Sequence, residues 1–219
     1  LRIPFTLPGE RVRVQVGVSR HETTPARVVE VLVPSPQRVV PHCSHFGPDA
    51  EPGVGPCGGC SWQHIAYPEQ LRLKTATVDR CVRAAVAGAP AARPMLPSTP
   101  LDHPWGFRQK AHFVFGHAPA ARRTNPRVGM GHFVRGTRRV VPIRECPVHD
   151  PRANALAFAF GDAFAKAGVA AADASGRGVL QGLAVRTGCH TPESMATLVV
   201  TSDDDRRVRS ATRRALEQA

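Results

Sequence analysis

Valine occupies every second position of Arg11-Val12-Arg13-Val14-Gln15-Val16-Gly17-Val18. Strict two-residue alternation predicts a strand with one face on a core. A second Val-rich run, Ala26–Val33, predicts its neighbour, and Pro8-Gly9 and Pro34-Ser35-Pro36 supply turns. The period changes to 3.6 over residues 67–87, where Leu71, Thr75, Val78, Cys81, Val82, Ala85 and Val86 fall on one helical stripe. Pro68 suits the first turn of that helix. The stripe predicts Cys81 as a buried core thiol. Residues 88–104 read as a Pro-rich connector.

Alternation returns over 107–116. Phe107, Ala111, Phe113 and Phe115 share one parity, and Arg108, Lys110 and His112 the other, so a basic face backs onto an apolar one. Residues 127–133 and 139–143 continue an antiparallel sheet, with Arg-rich turns at 118–125 and 134–138. Residues 150–167 predict a helix, with Asp150 as N-cap, Pro151 at the first position and Gly168 as the stop. Leu156, Phe160 and Phe164 form its ridge. Strands at 179–188 and 195–201 and a helix capped within 203–205 complete the chain.

The fold class is α+β. Two strands are too few to stand alone, so residues 1–41 are expected to belong to a small barrel of the oligonucleotide-binding kind, cut at its front. Residues 42–202 then form a central domain of antiparallel sheet, helices and a cysteine loop. Residues 203–219 begin a helix leading onward.

No run of eighteen apolar residues occurs in the 219, so no membrane helix is expected. Nor does Leu1-Arg2-Ile3-Pro4 open a signal peptide. The net charge is +12 and almost wholly Arg, with lysine only at 74, 110 and 166. Arginine presents a planar fork to phosphate and stacks on bases, so the balance favours a nucleic-acid partner. Arg108, Lys110, His112, Arg122, Arg123, Arg127, Arg135, Arg138 and Arg139 gather in the sheet region with Phe113 and Phe133. That mixture suits RNA, whose phosphates pair with Arg and whose bases stack. The arginines of the last helix (206, 207, 209, 213 and 214) read as solvated.

The chemistry centres on Pro56-Cys57-Gly58-Gly59-Cys60. Cys43 precedes it and Cys146 follows at a distance. In a chain without a secretory signal, a Cys-x-x-Cys pair points to metal or redox work rather than a disulfide scaffold. The Gly pair leaves the backbone free to wrap an ion. Spacing alone leaves zinc, an iron–sulfur cluster and unligated thiols open. His42, His45, His64 and His149 flank the cysteines as further ligands or as hydrogen-bonding neighbours. Cys189, in a polar turn, reads as an incidental surface thiol. No complete active site is present: there is no dinucleotide fingerprint around Gly129-x-Gly131 and no paired carboxylates beside a nucleophile.

Cys57-Gly58-Gly59-Cys60-Ser61-Trp62-Gln63-His64, with Tyr67-Pro68-Glu69-Gln70-Leu71-Arg72-Leu73-Lys74 behind it, resembles the RNA uracil-5-methyltransferase family, in particular its iron–sulfur members acting on 23S ribosomal RNA. Leu7-Pro8-Gly9-Glu10-Arg11-Val12, Trp105-Gly106-Phe107-Arg108 and Cys146-Pro147 agree, in the same order. The resemblance implies an N-terminal TRAM barrel and a [4Fe–4S] cluster on Cys43, Cys57, Cys60 and Cys146. The gap between the first two cysteines is much longer than the family pattern. The resemblance also implies S-adenosylmethionine, bound and used in a C-terminal domain beyond Ala219, so this stretch alone is expected to be inactive. It further implies an RNA partner (23S rRNA rather than tRNA), a monomer and a cytoplasmic setting. The other expectation is a stand-alone RNA- or zinc-binding module without catalysis.

Overall fold

A computed structural model of the chain describes residues 3–18, 24–48, 56–97, 104–117, 128–202 and 204–218. The chain folds as two compact units, Leu1–His42 with Cys60–Pro104, and Cys43–Gly59 with Trp105–Ala219.

In the first unit β1 (Arg11–Val16) and β2 (Ala26–Val33) are strands, as the sequence predicts, and they pair antiparallel. Ala26, Val28, Leu7 and Ile65 are its buried apolar residues. Its polar anchor is Glu10, whose side chain is fully enclosed. The carboxylate accepts from Leu7 N (2.9 Å), Ser35 N (3.1 Å) and both arms of Arg38 (2.5 and 2.7 Å), while Arg38 also donates to Phe5 O. Burial alone would raise the Glu10 pKa. The bonds from Arg38, Leu7 and Ser35 outweigh it and bring the value down to about 2.

Helix α1 (Tyr67–Ala85) starts with a proline in its first turn, as expected. Gln70 holds that turn by donating to Trp62 O and Ile65 O. The buried stripe is overturned: no residue of α1 is buried, and Cys81 is an exposed thiol. Among the described residues no named strand or helix packs on α1. The connector runs along it instead, with Ala92 N on Asp79 and Met95 N on Thr75. The helical period showed which residues share a face but not that anything covers that face.

The second unit is a five-stranded antiparallel sheet in the order β5-β4-β3-β6-β7. The strands are β3 (Lys110–His117), β4 (Val128–Phe133), β5 (Val140–Pro142), β6 (Leu180–Thr187) and β7 (Ser194–Val200). Helix α2 (Pro151–Lys166) covers one face, and α3 (Arg206–Gln218) packs on α2 through Val208, Ala211 and Ala215. Asp150 caps α2 by accepting from Arg152 N, and Gly168, at φ +63°, ends it. The predicted ridge of Leu156, Phe160 and Phe164 is buried against Phe113, Phe115, Leu183 and Val185. Each of these large side chains contributes about 1.5–3 kcal/mol by leaving water. Ala153 and Ala157, both fully buried, let the helix sit close.

One detail of the strand prediction changes. β3 begins at Lys110, so the parity argument does not reach Phe107 and Arg108; Phe107 is 43% exposed rather than part of the core. The predicted final strand and helix starts agree with β7 and α3 to within a few residues.

Candidate metal centre and nucleic-acid face

Cys43, Cys57, Cys60 and Cys146 are half-buried, and Cys81 and Cys189 are exposed. Cys43, Cys57 and Cys146 belong to the second unit and Cys60 to the first. The backbone around Cys57 is fastened to the end of β4. Cys57 bridges Val134, Gly58 N donates to Phe133 O (2.8 Å), and Arg135 N donates to Pro56 O (3.0 Å). On the other side Cys57 N donates to His45 O (2.8 Å), and Phe46 N donates to Cys43 O (3.1 Å). A Cβ on Gly58 would lie 2.9 Å from Phe133 O, so this glycine serves the close backbone approach. Gly59 N donates to Cys57 Sγ at 3.4 Å.

Cys146 sits where two sequence motifs meet. Gly106 N donates to Pro147 O, Arg108 N to Val148 O and Asp150 N to Arg108 O, so Trp105–Arg108 lies against Cys146–Asp150. His149 N and Asn154 Nδ2 both donate to Cys146 O. Cys146 is also brought to His132 and His149, with one ligand atom of each within 4.8 Å of the others. His132 projects from the core side of β4 and stacks on Phe113 (centroids 5.3 Å, 17°); His149 meets both rings edge-on. Burial, then the Arg108 cation, hold His132 at about 4. Burial, then His132 and Arg108, hold His149 at about 4 as well. Both imidazoles are therefore neutral at pH 7, the form that ligates metals. His149 Nδ1 is buried without a hydrogen bond, while the Asn154 side chain acts weakly against the lowering of the His149 pKa. Soft thiolates and neutral imidazoles are the donor chemistry of zinc or iron sites. Sequence reading missed His132. The signal was there: Met130 and His132 share the parity opposite Gly129 and Gly131 in one predicted strand.

The same parity defines the opposite, open face of the sheet. The register sets Lys110 beside Arg186, His112 beside Ala184 and Val114 beside Gly182. Lys110, His112, Arg138, Arg139 and Arg186 are exposed, and Arg135 is half-buried. Arg186 was not among the predicted contacts, because its strand was read apart from the basic cluster. Arg122, Arg123 and Arg127 lie outside the described residues. Arg108 is exposed, but its backbone is bridged to His149 and its charge acts on the two imidazoles rather than continuing the strand. Phe113 cannot stack on a base, being 1% exposed; Phe133, at 44%, can. Cys189 is exposed, and its thiol donates to Gln109 Oε1.

Gly129 and Gly131 serve packing rather than a cofactor. A Cβ on Gly131 would lie 1.8 Å from Val141 O, and one on Gly129 3.1 Å from Pro142, so β5 lies close over β4 only because both are glycine. Among the described residues, no helix is long and apolar enough to cross a membrane.

No family model matches the chain. It is 38% identical over 146 residues to the 23S rRNA (uracil(1939)-C(5))-methyltransferase RlmD of Alkalilimnicola ehrlichii, covering 67% of this chain and 29% of that protein. It is 32% identical over 197 residues to an uncharacterized RNA methyltransferase of Thermosynechococcus vestitus (89% and 40%), and 29% identical over 201 residues to one of Listeria innocua (91% and 41%). The fold is similar to that of the Pyrococcus abyssi tRNA (uracil-54, C5)-methyltransferase, solved with S-adenosyl-L-homocysteine, at TM-score 0.60 and 19% identity over 95% of this chain and 44% of that one. The chain thus spans well under half the length of these proteins, and its curated relatives are RNA methyltransferases.

Proposed function

We propose that this chain is the RNA-gripping, metal-bearing portion of an S-adenosylmethionine-dependent RNA (uracil-C5)-methyltransferase acting on 23S rRNA. Similarity to an RNA methyltransferase over 197 residues carries the reading. The exposed Lys110, Arg138, Arg139 and Arg186 support it by supplying a cationic sheet face. Cys43, Cys57, Cys60 and Cys146 would hold a [4Fe–4S] cluster, and the N–H bond onto Cys57 Sγ fits a ligating thiolate. When bound, the cluster supplies a structural clasp between the loop and the sheet. β1 and β2 would be two strands of a TRAM barrel. Methyl transfer, and S-adenosylmethionine with it, would belong to the part of such enzymes that this chain does not span, so the chain alone binds RNA without methylating it. A cytoplasmic monomer is the setting this reading carries.

The second reading is a stand-alone zinc module, favoured by the grouping of His132, Cys146 and His149. Anaerobic purification of the chain and of Cys57→Ser and His132→Ala separates the two. The cluster reading expects iron and sulfide that vanish in Cys57→Ser and survive in His132→Ala. Zinc retained by Cys57→Ser and lost by His132→Ala would overturn it. The enzyme reading is tested by assaying the full-length gene product for methyl incorporation into 23S rRNA; no transfer by that product refutes it.

A further inference from the structure

On the open face of the sheet, where β4 turns into β5, lies a groove of about 860 Å³. One wall is formed by Phe133, Arg138 and Arg139, the other by Asp173 and Gln181 with the alanines that flank Asp173. Val114, Gly116 and Val140 also line it. A Cβ on Gly116 would lie 2.5 Å from Val140 Cγ2, so glycine there makes room for Val140. The volume lies in the range of small-molecule sites, about 300–1,000 Å³.

The walls differ in chemistry. Phe133 offers an aromatic ring that is 44% exposed, beside two exposed guanidinium groups. Opposite, the Asp173 carboxylate is engaged by Ser175, by Arg177 N and by the Arg177 guanidinium at 3.3 Å in a tight turn, and Gln181 presents an exposed amide. An amide carries two donors and an acceptor, enough to read the edge of a base. A phosphate is drawn to Arg138 and Arg139 rather than to the side of Asp173, whose carboxylate is already ion-paired with Arg177, so a bound nucleotide has one favoured orientation.

Resting on the RNA reading above, we infer that this groove takes a single unstacked nucleotide of single-stranded RNA, with its base on the Phe133 ring, its phosphate at Arg138 and Arg139, and its base edge toward Gln181. Neither the similarity to RNA methyltransferases nor the basic cluster read from sequence assigns this groove. Its chemistry matches single-strand recognition, in which aromatic stacking is sequence-tolerant and cations follow the backbone.

The test measures binding of fluorescent single-stranded RNA, about eight nucleotides long, to the full chain across a salt series. Phe133→Leu keeps the backbone bond to Gly58 and an apolar side chain, and should weaken binding about tenfold or more with the salt slope unchanged. Arg138→Gln should lower the slope of log K against log salt by about 0.7. Gln181→Ala should leave the slope alone and reduce the difference in affinity between poly-U and poly-A probes. A probe carrying 4-thiouridine should crosslink to the β4–β5 segment, and less so in Phe133→Leu. Wild-type binding that is salt-sensitive but indifferent to both Phe133→Leu and Gln181→Ala overturns the groove and leaves the RNA reading standing. Absence of any RNA binding by the wild type overturns both. A free mononucleotide that competes as tightly as the oligomer makes the groove a nucleotide site and overturns the RNA assignment.

Discussion

Substituting Gly58 by alanine isolates the contact that fixes the cysteine loop to the sheet. The new Cβ would lie 2.9 Å from Phe133 O and 3.3 Å from Arg135 Cα, both backbone atoms that cannot swing aside. Carbon and carbonyl oxygen rest at about 3.3–3.6 Å, so the loop must retreat by roughly 0.4–0.7 Å. The Gly58 N to Phe133 O bond, now 2.8 Å, would stretch to the edge of hydrogen-bonding range, and the neighbouring Arg135 N to Pro56 O bond would follow. Weakening two such bonds costs about 1–3 kcal/mol. Alanine recovers about 0.4–1 kcal/mol by restricting the unfolded chain. The net loss is therefore between about 0 and 2.6 kcal/mol. Gly59→Ala is the control: its Cβ would meet Cys57 Sγ at 3.5 Å, an ordinary contact, so it should be neutral or slightly stabilising. Amide hydrogen exchange of metal-free protein, read on the peptide covering the end of β4, should speed up several-fold or more in Gly58→Ala and stay as wild type in Gly59→Ala. Equal protection in the two variants would refute the close-approach reasoning.

Three further outcomes are expected. Phe164→Ala removes a fully buried ring that meets Phe115 edge-on at 5.8 Å; chemical denaturation should show a loss of about 3–5 kcal/mol, and a loss under about 1 kcal/mol would contradict the core described above. Glu10 has a folded pKa of about 2, below its ordinary 4.5, so its stabilisation is complete above 4.5 and is lost as pH falls toward 2; NMR amide signals of β1 and β2 should show this acid loss in wild type but not in Glu10→Gln, which should already be weaker at pH 7. Asp150→Ala removes the N-cap of α2, the partner of Arg152 and the acceptor for Thr187, and thermal melting should report about 1–3 kcal/mol of destabilisation, with Asp150→Asn recovering part of it.

What the sequence revealed was local. Helix α2 was legible end to end, because Asp150, Pro151 and Gly168 are start and stop signals with fixed backbone requirements. The alternation of β3 separated two faces correctly, whereas in β1 Val12 and Val14 are only half-buried and Val16 is exposed; parity also cannot say where a strand begins, and Phe107 was misplaced for that reason. Cys81 failed differently: a stripe at helical spacing is silent about whether a partner covers it. His132 and Arg186 were overlooked because both matter only through strand pairing across long sequence separations. The pairing carries His132 to Cys146 and sets Arg186 beside Lys110. The two motifs at 105–108 and 146–147 could be read singly; that they hydrogen-bond to one another could not.

The bond from Cys57 N to His45 O bears on how the cysteine spacing can vary. His45 and Cys57 are thereby joined backbone to backbone, closing a loop of the eleven residues between them. Closing such a loop grows costlier only slowly, by about 0.6 kcal/mol per doubling of its length. Insertions and deletions there leave the positions of Cys43 and Cys57 untouched. A long gap between these two cysteines therefore costs little, because its closure is made at His45 and Cys57. A sequence pattern that demands a fixed spacing would reject chains in which these two cysteines still stand in the same place.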